Sequence, residues 1–416
     1  MIRFIHASDA HIDSPLRGLD IYDGAPVDLL RGATRKAFIN LIQLSIDENI
    51  DFLVMSGDLY DGDWKDYSTG LFIRAQLVRL HDRGIPVYMI AGNHDAESVI
   101  TKTLSLPKNV HVFSTRTTES IEVPGHPVVI HGRGFPKRAV PENLVLEYPA
   151  AVANKFNIGL LHTSLTGRTG HGTYAPCNEN DLRQKGYSYW ALGHIHKPEV
   201  VSEDPWIVFS GNSQGRNVGE VGPRGCRLVS VNDTLEVEGI EWHDLDVVRW
   251  HILEVDLVGI TEEGDAFAHV SSSMAKAIAE SDGRLIAARL VFKGATSLHG
   301  SLHRETERWS AELHARAQDQ GSDALWIEKI KLSTTPLYNV QELAEQDALT
   351  KIVIETLGED TLVPEILPSI KDMLDVLPPE IRSEVESELH EDAGVTLMED
   401  VRAIILDSLT TKGGAA

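Results

Sequence analysis

Five short segments of the chain carry side chains suited to chemistry rather than packing: Asp9-Ala10-His11, Gly57-Asp58-Leu59-Tyr60-Asp61, Gly92-Asn93-His94-Asp95, the isolated His162, and Gly193-His194-Ile195-His196. Together they offer carboxylates, an amide oxygen and several imidazoles. Such a mixed oxygen and nitrogen set suits manganese, iron, zinc or cobalt better than calcium or magnesium alone. A carboxylate in it could bridge two ions. A phosphodiester is an anion that repels hydroxide and has a poor leaving group. Two cations ~3.5 to 4 Å apart answer both difficulties by lowering the pKa of a bridging water and neutralising the phosphoryl oxygens. Gly57, Gly92 and Gly193 are expected to permit the tight strand-to-loop turns that aim the next side chain. Each segment also has a plain structural reading: Asp-x-His as a satisfied turn, Gly-Asp as a loop, and the His194 and His196 pair as a surface patch whose members share one face of a strand.

These segments need elements to position them, and each follows an apolar run. Residues 3–7, 51–56 and 86–91 read as strands, with helix-like stretches at 29–47 and 71–82 between them; Leu71, Ala75 and Val78 are the expected apolar face of the second helix. Further strand candidates lie at 128–131, 158–162, 189–192, 206–210, 227–231 and 235–240. The alternation predicts a layered α/β domain over residues 1–246, with the chemical segments at the C-terminal edge of one sheet. Residues 250–336 read as a compact α/β unit, with strands at 250–258, 284–292 and 324–332 and helices at 265–280 and 302–318. Residues 337–416 read as an acidic helical tail interrupted by Pro364, Pro368, Pro378 and Pro379.

The length of 416 residues, with 42% hydrophobic and a net charge of -24, predicts a soluble globular protein of two or three domains. Cys177 and Cys226 are too few for a disulfide scaffold. The N-terminus turns polar before it could form a signal peptide, and no apolar run approaches the ~18 residues of a membrane span. The expected setting is cytoplasmic and away from membranes. The acidity argues at first against a polyanionic partner, but residues 337–416 hold 5 basic against 18 acidic side chains, whereas residues 101–200 hold 11 basic against 7 acidic. A polyanion near the chemical segments stays open.

Taken in order, the five segments resemble the calcineurin-like metallophosphoesterase superfamily over about residues 1–245. The flanks His6-Ala7-Ser8-Asp9-Ala10-His11-Ile12-Asp13-Ser14-Pro15-Leu16 and Gly211-Asn212-Ser213-Gln214-Gly215-Arg216 are similar to the bacterial DNA repair exonucleases of the SbcD group, closest to its YhaO-like branch. The resemblance implies an α/β fold: a β-sandwich flanked by helices, a small α/β cap domain and a helical C-terminal tail. It implies a metal-dependent phosphodiesterase with two divalent ions, Mn2+ foremost, that acts on DNA as the exonuclease subunit of an SbcCD-like repair complex. It assigns Asp9, His11, Asp58 and His196 to one ion and Asp58, Asn93, His162 and His194 to the other. His94 becomes general acid or transition-state stabiliser, oriented by Asp95. Asp61 stands where eukaryotic and archaeal nucleases of this kind carry a second histidine and bacterial relatives often carry aspartate; it either closes the loop or positions substrate. Asp13 replaces a glycine common in the first motif.

Arg216, in its glycine-rich loop, is the foremost candidate for a substrate contact. Arg133, Lys137, Arg138, Arg168 and Lys197 are phosphate contacts or solvated surface, and His171 could line the cleft. In the tail, Ile381, Val385 and Leu389 recur every four residues and Val401, Ile404 and Ile405 form another stripe. Either stripe could dock on an SbcC-like coiled-coil ATPase or pack back on the cap. A homodimer is a further implication of the resemblance. Two other functions compete: a metallophosphoesterase acting on nucleotides or phosphoproteins, and a scaffold that regulates a coiled-coil ATPase through a vestigial site. The filled ligand positions speak against the scaffold.

Overall fold

The computed structural model describes residues 1–14, 25–61, 67–97, 105–165, 174–321, 323–337, 351–352, 354–355, 401 and 405. The chain divides into two units, the first running to Trp250 and the second continuing from His251. Strands β1 (Ile2–Ala7), β2 (Phe52–Met55), β3 (Val87–Met89) and β4 (Val110–Val112) open the first unit. They are followed by β5 (Glu119–Glu122), β6 (Val128–Gly132), β7 (Phe156–His162), β8 (Tyr189–Gly193), β9 (Glu199–Glu203), β10 (Trp206–Phe209), β11 (Gly225–Val231) and β12 (Val237–Asp244).

These strands form two six-stranded sheets, in the orders β12-β11-β1-β2-β3-β4 and β5-β6-β7-β8-β10-β9. The expectation of one sheet is corrected here; the sandwich implied by the resemblance is what the chain adopts. The run β1 to β4 is parallel and ends at the edge strand β4, and the run β6, β7, β8, β10 is also parallel; antiparallel strands β11 and β12 complete the first sheet, and β5 and β9 flank the second. Alternation of side chains across each strand supplies both faces. Phe4, Phe52, Val54 and Tyr88 of one sheet meet Ile130, Phe156, Ile158, Tyr189 and Val208 of the other in a shared core. Phe4 stacks on Phe52 at 5.0 Å and meets Tyr189 edge-on at 5.4 Å. On the outer face of the first sheet, Ile5, Leu53, Met55 and Val87 pack against Phe38, Leu41, Ile73 and Leu77 of the helices Val27–Asp47 and Tyr67–His81. On the outer face of the second, Leu161, Trp190, Leu192 and Phe209 pack against Leu144, Val145, Tyr148 and Leu182. Strands covered on both sides read as continuous apolar runs, which is why they stand out in the sequence.

The helix Tyr67–His81 buries Ile73, Leu77 and Leu80, not the expected Leu71, Ala75 and Val78. Leu71 is 60% exposed. Both sets have helical spacing, and the core took the one with three large aliphatic side chains. Leu77→Ala is therefore expected to cost about 2–5 kcal/mol of stability, and Leu71→Ala under about 0.5 kcal/mol. Urea unfolding of the two variants measures the contrast.

The second unit is built on the three-stranded sheet β13 (Val248–Asp256), β14 (Leu285–Thr296) and β15 (Leu325–Pro336), with β14 and β15 parallel. Phe267, Val270 and Met274 of the helix Glu263–Ala279 cover one face together with Trp309 and Leu313 of the helix Thr306–Asp319. The single helix expected over 302–318 is instead two, His299–Arg304 and Thr306–Asp319, broken at Glu305 with φ -115 and ψ 33. Ile381, Val385, Leu389 and Ile404, like Arg168 and His171, lie outside the described residues. Among the described residues, no helix is long and apolar enough to cross a membrane.

Candidate metal centre

Backbone and side-chain hydrogen bonds bring the ends of β1, β2 and β3 in one sheet to the ends of β7 and β8 in the other. Asp9 N–H donates to Gly57 O at 3.0 Å and His11 N–H to Asp58 O at 3.0 Å, which ties the first two segments together. Across the sandwich, His162 Nδ1 donates to Ser56 O at 2.9 Å, and the His194 N–H points at both oxygens of the Asp9 carboxylate at 3.1 Å.

Asp9 (φ 51), His11 (φ 40), Asp58 (φ 53) and His194 (φ 93) all lie in the left-handed region. That conformation costs a non-glycine residue on the order of 1–3 kcal/mol and is held by surrounding structure where a side chain must be presented. Four such residues, drawn from both sheets, gather at one spot. Gly57, with φ +96, fills the role expected of the glycines. Gly92 and Gly193 are needed for another reason. A methyl on Gly92 would fall on Asp58 Oδ1, and one on Gly193 would fall on Ser56 O. Gly92→Ala is thus expected to push the Asp58 carboxylate aside and lower stability by about 1–3 kcal/mol, read as a lower melting temperature of the metal-free protein.

Three overlapping groups have ligand atoms all within 4.8 Å of one another: Asp9, His11 and His196; Asp9, Asp58 and His162; and His11, Asp58 and His94. His11 Nε2 faces His196 Nε2 at 3.1 Å, and each stands 3.8 Å from a carboxylate oxygen, of Asp58 and Asp9 respectively. His162 Nε2 lies 2.8 Å from Asn93 Oδ1 and 3.3 Å from Asp58 Oδ2. The His194 ring packs edge-on to His162 at 5.2 Å and against Tyr174 at 5.0 Å. Six of these residues are buried, and His196 is partly so.

Burial pushes Asp9 up and pushes His11 well down, the latter aided by Arg216 and His196. Burial also opposes the charge on Asp58, but His162 and His94 outweigh it and hold that carboxyl at about 2. His162 answers in the other direction: burial lowers it, yet Asp58 carries it up to about 9. The arrangement fits divalent cations. Two imidazole Nε2 atoms turned toward one another, each with a carboxylate oxygen beside it, are a lone-pair cluster that a cation satisfies. Among the described residues, the other nitrogen of His11, Nδ1, is buried with no hydrogen-bond partner. Asp9, His11, Asp58, Asn93, His162, His194 and His196 are the residues that could hold such ions.

His94 sits at the open side, its imidazole 4.8 Å from the His11 ring and its backbone N–H donating to Asp58 Oδ1 at 2.9 Å. The carboxylate at its Nδ1 is Asp61, at 2.8 Å. This corrects the orienting role given to Asp95. Asp95 accepts from the backbone N–H groups of Gly92, Tyr60 and Leu59 at 3.0, 2.9 and 3.3 Å and so pins the Asp58 loop to the Asn93 loop. Burial and the nearby charge of Asp58 push Asp95 up to about 6. Asp61 also accepts from Ser14 Oγ at 2.6 Å and lies 3.8 Å from Arg216 Nη1. Arg133 pairs with Glu147 at 2.6 Å. Two residues at the centre escaped sequence reasoning: Ser8, whose hydroxyl donates to Asp9 Oδ2 at 2.6 Å, and Glu220, 2.6 Å from His196 Nδ1. Glu220 lies in a loop 24 residues past His196, so no local spacing marks it.

Known families share this arrangement of segments. A calcineurin-like phosphoesterase profile matches residues 2–198, and a profile of the middle domain of metallophosphoesterase YhaO matches residues 250–335. The chain is 34% identical over 298 residues to a protein of Bacillus subtilis described as uncharacterized metallophosphoesterase YhaO, covering 70% of this chain and 72% of that one. It is 26% identical over 273 residues to the DNA double-strand break repair protein Mre11 of Haloferax volcanii, covering 62% of this chain and 56% of that protein. It is 27% identical over 285 residues to the Mre11 protein of Sulfurisphaera tokodaii, covering 63% and 67%. The chain belongs to the calcineurin-like phosphoesterase family. Within that family its similarity is to a YhaO protein over most of both chains and to Mre11 proteins more distantly.

Proposed function

We propose that this metallophosphoesterase hydrolyses phosphodiester bonds of DNA, as the exonuclease subunit of an SbcCD-like assembly. The observation that carries the reading is the convergence of two buried carboxylates, an asparagine and four histidines from both sheets, with the partly exposed His94 beside them. Substrate class follows from the similarity to proteins named for DNA double-strand break repair.

In this reading Asp9, His11, Asp58 and His196 would hold one divalent ion, Mn2+ foremost, and Asp58, Asn93, His162 and His194 would hold the other. When bound, such a pair supplies an activated water and neutralises the phosphoryl oxygens. His94 donates a proton to the departing oxygen or stabilises the charge that develops there, with Asp61 fixing the ring through Nδ1 and leaving Nε2 toward substrate. Arg216 is within reach of a phosphate on the same side. The acidic residues 337–416 are the docking segment for a coiled-coil ATPase, and the chain acts as a homodimer.

The test is digestion of end-labelled double-stranded and single-stranded DNA with added manganese, run beside turnover of bis-p-nitrophenyl phosphate. Shortening of DNA from its ends supports the reading. Turnover of the small ester with DNA left intact, in the presence of the ATPase as well as without it, replaces DNA by a nucleotide or phosphoprotein substrate.

A further inference from the structure

The geometry points to Glu220 as a positioning residue that sets the ring orientation and tautomer of His196 and ties it, through Arg216, to the Asp61–His94 pair. The inference rests on reading the cluster as a two-cation centre. Glu220 is only 8% exposed, so its carboxylate must be paired to be tolerated. Its two oxygens divide the work. Oε2 accepts from the Arg216 backbone N–H at 2.8 Å and from Asn212 Nδ2 at 2.9 Å, which builds the loop after β10. Oε1 lies 2.6 Å from His196 Nδ1.

The direction of that second bond follows from chemistry. Arg216 Nη2 also lies 3.2 Å from His196 Nδ1, but it lies 3.3 Å from Oε1 as well, and a guanidinium has only protons to give. A bare Nδ1 lone pair at 2.6 Å from a carboxylate would be repelled. Nδ1 therefore carries the proton and donates it to Glu220, which leaves Nε2 as a lone pair aimed at His11 Nε2 and Asp9 Oδ1. Carboxylates placed behind an imidazole in this way fix its tautomer and raise its basicity. His162 receives the same service from a backbone carbonyl, Ser56 O.

Arg216 extends the frame. Its Nη2 faces Glu220 and its Nη1 faces Asp61, whose other oxygen holds His94 Nδ1. One guanidinium thus lies between the carboxylate that holds a cation ligand and the carboxylate that holds the group proposed to protonate the leaving oxygen. Glu220 touches neither substrate nor cation; it acts through His196.

Two readouts test this, neither of them turnover. Side-chain 15N NMR of the metal-free protein is expected to show His196 as the Nδ1–H form in the wild type and as a mixture of tautomers in Glu220→Gln. Titration with Mn2+ alone is expected to show two ions in the wild type. Glu220→Gln should weaken one of them by about ten- to a hundredfold, with the other nearly unchanged. Glu220→Asp keeps the charge beside Arg216 but withdraws it from Nδ1, and the same selective loss is expected if the glutamine variant fails to fold. Unchanged tautomer and unchanged affinity in both variants would overturn the inference. So would an equal weakening of both ions together with a lower melting temperature, since that is the signature of a loop-building residue. A wild-type protein that binds no ion would instead overturn the two-cation reading, while the metal-free tautomer still reports whether Glu220 holds His196.

Discussion

Replacement of Asp58 by alanine is expected to remove both ions and to lower phosphodiester hydrolysis by at least about a thousandfold, the several kcal/mol of charge stabilisation that a cation pair supplies. Asp58, like Asp9, appears in two of the three candidate groups, and its Oδ2 stands between a histidine of each sheet, 3.8 Å from His11 Nε2 and 3.3 Å from His162 Nε2. Its position also organises its surroundings. It accepts the His94 N–H, its loop is pinned by Asp95, and Gly92 is kept bare to make room for it. Asp58→Asn separates charge from shape, because it keeps the volume and an acceptor oxygen while halving the donor set. Elemental analysis of the purified variants checks the claim directly: two ions per wild-type chain and none in Asp58→Ala. Retention of both ions by the alanine variant would show that Asp58 does not bridge.

His94→Ala is expected to behave in the opposite way, keeping both ions while losing about 10²- to 10⁴-fold in turnover. Its ring has a proton-holding partner in Asp61 at 2.8 Å and sits at the accessible side of the cluster, 27% exposed, where a scissile phosphate would approach. In the metal-free protein burial lowers His94 while Asp61 and Asp58 raise it, with the net shift upward. His94 also belongs to one of the candidate groups, with His11 and Asp58. Metal content decides between the two roles: loss of one ion in His94→Ala would make His94 a ligand instead of an acid. The same pair of measurements on end-labelled DNA and on a small diester separates chemistry from DNA binding, since loss on both substrates places His94 at the reacting phosphate.

What was legible in the sequence follows from where its constraints are local. Gly-Asp, Gly-Asn-His-Asp and Gly-His-x-His each sit directly after a strand covered on both faces, so the apolar run and the reactive side chain that ends it are neighbours in the chain. Strands β1, β2, β7, β8 and β10 were all marked by such runs. The edge strands β4, β5 and β9 were not among the predicted strands, because a short edge strand half in solvent carries no continuous apolar signal: Glu119–Glu122 and Glu199–Glu203 each begin and end on glutamate. The expected face of the helix Tyr67–His81 failed for a related reason, since Leu71 and Ile73 both belong to stripes of helical spacing and only the packed core chooses between them.

Tertiary structure alone decided the rest. One sheet and two facing sheets have the same alternation of strands and helices in sequence, and the division appears only when Phe4 and Tyr189 meet across the sandwich. It is this division that brings His162 and His194 from one sheet to Asp9 and Asp58 of the other. Partnership at the centre is likewise non-local: Asp61 lies 33 residues before the His94 it orients, Glu220 lies 24 residues after His196, and Asp95, next to His94 in the chain, turns its carboxylate to the backbone instead. Residue type and short spacing were enough to mark the side chains that are candidates for metal and acid chemistry, because both are local properties of the chain. Which carboxylate serves which imidazole was settled by folding, because a hydrogen bond needs an approach below about 3.2 Å, and sequence separation says nothing about that distance.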